Sequence, residues 1–300
     1  MKPLNYELAM LSTDWRVGAR STQADRYMIL QLCADQLYEM GKAPTKAKNL
    51  KPKHISALVG RWKGDGLSAG TIKNRLAFLR DWAQRIGKGC IIPADNVELG
   101  VGTRQMWTDD KAFKLDLDKL DQIEDRRVQL VLRLQAAFGL RREEAHKFRP
   151  KTADHGDHIT LQGSWCKGGR ARSVPIHTDR HRALLDEVRQ EVGDGCLIPD
   201  HLSYVQQRRR YQAACTKVGI NNPHGLRHNY AQWRYKSLTG RTCPAAGGKK
   251  GSSYTRAEKA ADLWARDRIS RELGHGSVNP QTGEWEPRIE ITDAYLGPRS

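Results

Sequence analysis

The chain has 300 residues, of which 51 are Lys or Arg and 34 are Asp or Glu, and its formal net charge is +17 at pH 7. Hydrophobic residues make up 38%, which is enough for packed cores, and no run of about 18 apolar residues is present to span a membrane. The six cysteines are scattered without a Cys-x-x-Cys pair. This pattern disfavours a disulfide framework and a zinc ribbon, and it predicts reduced thiols and a cytoplasmic location.

The positive charge extends over the whole chain. Residues 1–105 hold 17 basic and 9 acidic residues, and residues 106–300 hold 34 and 25. A protein with this charge releases counterions when it binds a polyanion, so nucleic acid is the partner that the composition favours. A merely soluble basic protein and a protein that binds acidic membranes are the alternatives.

The first hundred residues predict helices. One begins at Ser21 or Thr22 and ends near Met40, a short one lies over 54–62, and a third begins after Ser68. The third carries an apolar stripe at helical spacing, which consists of Ile72, Leu76, Leu79, Ala83 and Ile86. Four basic side chains lie off this stripe and form either a phosphate-facing surface or a solvated face: Lys73, Arg75, Arg80 and Arg85.

A Gly- and Pro-containing linker over 87–117 predicts two domains, 1–105 and 106–300. In the second domain the pattern predicts a helix over 120–138, ended by Gly139, and two short strands over 158–162 and 172–176. Further helices are predicted over 179–192, 204–219, 225–236 and 255–273, the last opened by Thr255 and Glu258 as a capping box. Residues 239–253 predict a mobile loop and 277–287 a polar, turn-rich segment. The expected fold class is mainly α with a small β-sheet.

Four short motifs of the second domain carry chemistry. They are Gly-Leu-Arg-Arg-Glu-Glu at 139–144, Lys167 in the predicted hairpin turn, His-Gly-Leu-Arg-His at 224–228, and Leu-Gly-His at 273–275, followed by Tyr295. Each motif alone has an ordinary structural explanation, such as a surface ion pair or a helix cap.

Together and in this order, the motifs resemble the tyrosine recombinase family, the phage-type integrases. The segment LSAGTIKNRLAFLRDWAQ at 67–84 is similar to part of the core-binding domain of that family. The resemblance implies an all-helical, SAM-like core-binding domain in 1–105 and a mixed α+β catalytic domain in 106–300.

The resemblance also implies a role for each motif residue. Arg141 matches the first catalytic arginine, Glu144 supports it, and Lys167 matches the lysine that acts as general acid. The remaining catalytic residues implied are His224, Arg227, His275 and the nucleophile Tyr295, while Arg170 is a candidate DNA contact. Arg142 is the alternative to Arg141, which is favoured because it follows Gly-Leu directly. Tyr254 is the alternative nucleophile, but it precedes His275 and breaks the family order.

These residue types suit the cleavage of a phosphodiester. Two guanidinium groups bind the non-bridging oxygens and neutralise charge in the transition state. A tyrosine forms a covalent phosphotyrosine that conserves the bond energy, and a lysine protonates the departing 5′-hydroxyl. No metal and no cofactor are expected.

The resemblance implies a site-specific recombinase that acts on double-stranded DNA as a tetramer on two recombination sites, through a Holliday junction. Integration or excision of a mobile element, an accessory DNA-bending or excision factor, and a nucleoid-associated location in a prokaryotic cell are expected, and no membrane partner is. A type IB topoisomerase and a catalytically silent DNA-binding protein remain alternatives. The intervals from Arg227 to His275 and from His275 to Tyr295 are long for the family, and 239–253 and 277–287 hold the excess.

Overall fold

The computed structural model describes residues 1–103 and 109–299, so part of the predicted linker, 104–108, lies outside the described residues. The chain divides into two compact units, Met1–Gln105 and Met106–Ser300. Each unit has its own hydrophobic core. Helices predominate and the sheets are small, so the expected fold class is confirmed.

The first unit is helical. Its helices are α1 (Pro3–Thr13), α2 (Arg20–Glu39), α3 (Pro52–Gly64) and α4 (Ala69–Arg85). The Oγ of Ser68 accepts a hydrogen bond from the backbone N–H of Thr71 and so caps α4, as predicted. Four residues of the stripe are buried on α4, in the same core as Trp62 and Trp82: Ile72, Leu76, Leu79 and Ala83. Ile86 follows the helix and is half-buried. The helical period in the sequence therefore corresponds to the face that packs.

The second unit combines helices with two antiparallel hairpins. In chain order its elements are α5 (Leu117–Asp121), α6 (Arg126–Phe138), α7 (Arg142–Lys147), α8 (Pro150–Ala153), β1 (His158–Leu161), β2 (Arg172–Pro175), α9 (Asp179–Val192), α10 (Tyr204–Lys217), α11 (Gly225–Thr239), α12 (Arg256–Leu273), β3 (Gly276–Val278), β4 (Trp285–Pro287) and α13 (Ile289–Leu296). No helix in the described ranges is long and apolar enough to cross a membrane.

The single helix predicted over 120–138 is wrong, because the structure breaks it into α5 and α6. The carboxylate of Asp125 accepts hydrogen bonds from the backbone N–H groups of Arg127 (3.0 Å) and Val128 (3.2 Å). An aspartate that caps a new helix competes with continuation of the previous one. Residues 122–125 therefore leave the helix, although Ile123 among them continues the apolar spacing.

The predicted loop over 239–253 and the predicted turn-rich segment over 277–287 both make defined contacts. Within 239–253, Cys243 is buried and the backbone of Gly251 lies directly against that of Arg299. Within 277–287, β3 and β4 form an antiparallel hairpin in which Gly276 pairs with Pro287. The turn-rich segment thus includes two short strands that pair locally, while Gly251 contacts a residue far along the chain.

The connection between β1 and β2 is longer than a tight turn. Leu161 pairs with Arg172, and a 3-10 turn over Gly163–Trp165 precedes Lys167. Gly168 and Gly169 follow with φ of +82° and +72°, which side chains with a Cβ rarely adopt. The glycines allow the chain to reverse here, and this places Lys167 on the exposed side of the turn.

Candidate active site

Tyr295 lies on α13 among three imidazole rings. Its side chain is largely buried, and its Oη is 3.2 Å from Nε2 of His224. The phenol ring stacks on the His228 ring, with centroids 4.0 Å apart and an angle of 16° between planes, and the His275 ring centroid lies 4.8 Å away. The hydroxyl is thus directed at one imidazole while the other two fix the ring.

The α11 start brings a histidine and an arginine to this phenol. His224 is the N-cap residue of α11, and Arg227 lies in its first turn. The Arg227 guanidinium is fully buried, donates to the carbonyl oxygens of Gly139 and Leu273, and lies 3.1 Å from Nε2 of His275. Burial, followed by the nearby positive charge of Arg141, lowers the pKa of Arg227 to about 10, so the group is cationic at neutral pH.

Arg227 has one donor without a partner among the described residues. This donor is its buried Nε. An unsatisfied N–H of a buried cation is costly. A phosphate oxygen is the kind of acceptor that would relieve this cost.

His275 follows the end of α12 at Gly274, whose φ is +64°. Because Arg227 donates to Nε2, the hydrogen-bond network assigns the proton of the ring to Nδ1, which donates to Oγ1 of Thr292 at 2.9 Å. Burial, with the charges of Arg227 and Arg141, holds the pKa of His275 well below its usual range. His275 is therefore a neutral ring.

His224 is neutral as well. The residue is exposed as a whole, but the ring atoms that face Tyr295 are partly buried. This partial burial, together with the charges of Arg227 and Arg141, lowers the pKa of His224 to about 4. In the tautomer protonated at Nδ1, Nε2 carries a lone pair that can accept the phenolic proton.

Arg141 is held at the start of α7 by Glu144. The Glu144 carboxylate accepts hydrogen bonds from the backbone N–H of Arg141 (2.6 Å) and from its Nη1 (2.9 Å), and Nη2 of Arg141 lies 3.4 Å from the Gly274 carbonyl oxygen. Burial by itself raises the pKa of Glu144, but the hydrogen bonds and charge of Arg172, with the charges of Arg227 and Arg141, hold that pKa well below its usual range. Glu144 is an anion that fixes Arg141.

Lys167 and Arg170 line a cavity beside this cluster. The cavity has a volume of about 680 Å³, and none of its described lining residues is acidic. Trp285 of β4 forms part of the wall, and the Arg271 guanidinium lies 5.4 Å from the indole centroid. The basic side chains that line it are Arg141, Lys167, Arg170, Arg172 and Arg271. Such a concave, cationic surface suits a phosphate chain.

Arg142, the alternative to Arg141, and Tyr254, the alternative nucleophile, have other surroundings. Arg142 lies near His146. Burial, followed by the positive charge of Arg142, lowers the pKa of His146 to about 3. Tyr254 is buried, with its hydroxyl 3.4 Å from that of Tyr235. Neither Arg142 nor Tyr254 has a described hydrogen bond to the cluster around Tyr295.

The four basic residues of α4 differ in their surroundings. Arg80 is committed to its own unit, since its guanidinium donates to the carbonyl oxygen of Pro93 (3.1 and 2.6 Å) and to Asn96 (2.8 Å). Arg75 lies 5.2 Å from the Trp62 ring, Lys73 is half-buried and Arg85 is exposed. Lys73, Arg75 and Arg85 therefore remain candidates for DNA contact, and Arg80 is engaged internally.

Sequence reasoning gave no role to Arg172, His228 and Thr292, which all contact the motif residues. Arg172 pairs with Glu144, His228 stacks on Tyr295, and Thr292 accepts from His275. His228 adjoins Arg227 within a quoted motif, so its position was a usable signal. Arg172 and Thr292 carried none. The described residues include no group of three or more His, Cys, Asp or Glu that could hold a metal ion.

Family models match most of the chain. Residues 1–91 match the model described as "Phage integrase, N-terminal", and residues 99–233 match the model described as "Integrase". No curated protein matches the chain significantly. The two family matches end before His275 and Tyr295.

Solved integrases share the fold. A lambda integrase dimer bound to a COC′ core site superposes with a TM-score of 0.58 and 17% identity, over 94% of this chain and 97% of that one. The Tn1549 transposon integrase in complex with circular intermediate DNA gives 0.55 and 14%, over 98% and 96%. A lambda integrase tetramer bound to a Holliday junction gives 0.53 and 17%, over 77% and 70%.

The fold and the family matches together define an integrase-type protein. The chain belongs to the tyrosine recombinase family, of which the phage-type integrases are members. The sequence-based identification of the family is thereby confirmed.

Proposed function

We propose that this protein is a site-specific DNA recombinase that cleaves and rejoins DNA strands through a 3′-phosphotyrosine on Tyr295. One observation carries the assignment of the site. Residues 71 positions apart meet where the Oη of Tyr295 lies 3.2 Å from Nε2 of His224, beside the buried cation Arg227. A phenol next to a neutral imidazole and a cation is suited to attack a phosphodiester.

In the proposed cleavage step, the Oη of Tyr295 attacks the scissile phosphorus. The Oη–P bond forms, the P–O5′ bond breaks, and Nε2 of His224 accepts the phenolic proton. Lys167 donates a proton to the departing O5′ from the exposed turn. Religation is the reverse step on a new 5′-hydroxyl, so the phosphotyrosine conserves the energy of the bond.

Two cations stabilise the transition state in this proposal. Arg141, fixed by Glu144, binds one non-bridging oxygen, and Arg227, whose buried Nε has no partner among the described residues, binds the other. His275 keeps Arg227 in place through its Nε2. The cavity beside them, which Arg170 and Arg271 also line, is proposed to hold phosphates of the DNA that flank the scissile one.

The partner is proposed to be double-stranded DNA carrying a specific recombination site, bound by a tetramer that joins two sites through a Holliday junction. The tetrameric lambda integrase on such a junction supports this assembly. Integration or excision of a mobile element is the proposed role, since lambda integrase and the Tn1549 transposon integrase share the fold. An accessory DNA-bending or excision factor and a cytoplasmic, nucleoid-associated location are part of the same proposal.

Covalent trapping tests this proposal. The purified protein is incubated with supercoiled plasmids that carry a library of random and genomic inserts, the reaction is stopped with SDS, and protein-linked DNA ends are sequenced. We expect 3′ ends joined to Tyr295 and no adduct in Tyr295→Phe. Tyr254→Phe is the matched control, because it also removes a buried phenolic hydroxyl, and it is expected to retain the adduct.

Three results would contradict the proposal. An adduct that persists in Tyr295→Phe refutes the nucleophile. DNA binding without any adduct indicates a DNA-binding protein without catalysis. Relaxation of every supercoiled plasmid, with no recombination between paired sites, indicates a type IB topoisomerase activity.

A further inference from the structure

A buried arginine of β2 contacts three other parts of the catalytic unit. The side chain of Arg172 is 6% exposed. Its Nη1 and Nη2 donate to the two carboxylate oxygens of Glu144 at 2.7 and 2.6 Å, and its Nε donates to the carbonyl oxygen of Glu272 at 2.8 Å. Nη1 also lies 3.2 Å from the Sγ of Cys166. One planar guanidinium thus makes contacts with α7, with the end of α12 and with the β1–β2 connection.

The contact with Cys166 lies next to the proposed general acid. Lys167 is the residue after Cys166, and its own side chain is exposed in the turn. The two glycines that follow, at 168 and 169, have positive φ and no neighbour within 4 Å of a Cβ position. Since the tip of the turn is open on that side, the position of Lys167 depends on the anchors at the base of the turn.

The contact with Glu144 links the start of the Lys167 turn to Arg141, the arginine proposed to bind phosphate. Glu144 is completely buried and also holds Arg141. The stem of Arg172 passes close to Gly274, where an added Cβ would lie 2.9 Å from Cδ of Arg172. Arg172 therefore joins the start of the Lys167 turn to Glu144 and to the end of α12.

We infer that Arg172 is a positioning residue for the general acid, which anchors the Lys167 turn against Glu144 and the end of α12 so that the lysine reaches the leaving oxygen. This inference rests on the proposed recombinase function. A guanidinium suits the task because its rigid fork addresses two carboxylate oxygens and a carbonyl at once. A lysine ammonium is a point charge on a flexible stem and cannot hold the same geometry.

The test uses a substrate whose leaving group needs no acid. A nicked suicide duplex, built on the site mapped from protein-linked ends, carries at the scissile position either the natural 5′-oxygen or a bridging 5′-sulfur. With sulfur, the P–S bond breaks and a thiolate leaves, which is stable near neutral pH because thiol pKa values lie near 8.5. The ratio of the cleavage rate on sulfur to that on oxygen measures the contribution of the general acid.

For Arg172→Lys we expect cleavage of the oxygen substrate to fall roughly 10- to 100-fold and the sulfur-to-oxygen ratio to rise at least about tenfold, as in Lys167→Ala. Cys166→Ala, which keeps the Glu144 pair and removes the sulfur contact, is expected to raise the ratio by a smaller factor. If Arg172→Lys does not fold, the sulfur-to-oxygen ratio of Cys166→Ala tests the inference, and a wild-type ratio in Cys166→Ala then overturns it.

Arg182→Lys is the matched control. Arg182 makes a bidentate pair with Asp154 at 2.6 and 3.1 Å in the same unit and contacts none of the proposed site residues, so its ratio is expected to equal that of the wild type. A wild-type ratio in both Arg172→Lys and Cys166→Ala overturns the inference, whatever the loss of total activity. If the wild-type protein forms no adduct at all, the proposed function fails instead.

Discussion

Glu144→Gln is the substitution whose effect on stability follows most directly from the structure. The Glu144 carboxylate is completely buried and accepts four hydrogen bonds, two from Arg141 and two from Arg172. A glutamine removes the negative charge and turns an amide donor toward the guanidinium donors. Arg172, itself 6% exposed, then becomes a buried cation without a carboxylate partner.

The expected loss of stability is large. Removing one partner of a buried ion pair costs about 3–5 kcal/mol, because the remaining charge stays desolvated and unpaired. For a unit of this size each kcal/mol corresponds to roughly 2–4 °C, so the melting temperature of the catalytic unit should fall by roughly 6–20 °C. The loss should exceed that of any exposed ion pair, for which about 0–1 kcal/mol is typical.

The same carboxylate makes a contribution that depends on pH. Its pKa in the folded protein lies well below the usual 4.5, so the unfolded chain binds the proton more readily than the folded one. The contribution is fully present above pH 4.5 and is lost as the pH falls toward the folded pKa. The difference in unfolding free energy between the wild type and Glu144→Gln should therefore shrink below pH 4.5.

Urea unfolding followed by tryptophan fluorescence, at pH 7.5 and at steps down to pH 3.5, measures both effects. Glu143→Gln is the control, because the neighbouring Glu143 is exposed and pairs with Lys147 at the surface, and a change below about 1 kcal/mol is expected. The reasoning is refuted if Glu144→Gln unfolds within about 1 kcal/mol of the wild type at pH 7.5, or if its deficit is the same at both pH extremes.

Three further predictions concern the same unit. Lys167→Ala should slow strand cleavage by about 10²–10⁴-fold while leaving the melting temperature unchanged, since the side chain is exposed; single-turnover cleavage and calorimetry check this. Gly139→Ala should cost about 2–5 kcal/mol in urea unfolding, because φ is +61° and a Cβ would lie 2.6 Å from a buried aromatic carbon. Gly240→Ala, with φ +70° and open space, should cost only the backbone part. Desolvation lowers the pKa of His224 and His228 to about 4, so the stability contributed by their neutral rings is present above pH 6.5 and lost as the pH falls toward 4. Replacing both with Gln should flatten unfolding free energy over that range.

The sequence alone determined the features that depend on neighbours along the chain. Ser68 and Thr255 cap their helices as predicted, because the capping hydroxyl bonds a backbone N–H three residues away. Four of the five stripe residues are buried on α4, as their period indicated. The Arg, Lys, His and Tyr motifs identified the family because their order along the chain is specific, although each motif alone is common.

The segments between these motifs were less predictable. The β3–β4 hairpin was not foreseen because each of its strands has three residues, which is too short for a clear alternation. The packing of 239–253 was not foreseen because it depends on contacts such as Gly251 against Arg299, 48 positions apart. Local composition there is polar and rich in glycine, which is also the composition of an unpacked loop. A pattern read along the chain contains no information on such a distant contact.

Only the tertiary structure decided which of the charged residues act together. Arg141 and Arg142 are adjacent in sequence, yet Glu144 orients the first toward the cavity while the second acts on His146. In the sequence Arg172 is a residue of a predicted strand with no assigned role, and the structure shows that it pairs with Glu144, 28 positions earlier. The physical reason is desolvation: a buried charge is tolerable only with a partner in exact geometry, and that geometry exists only once separate elements have packed.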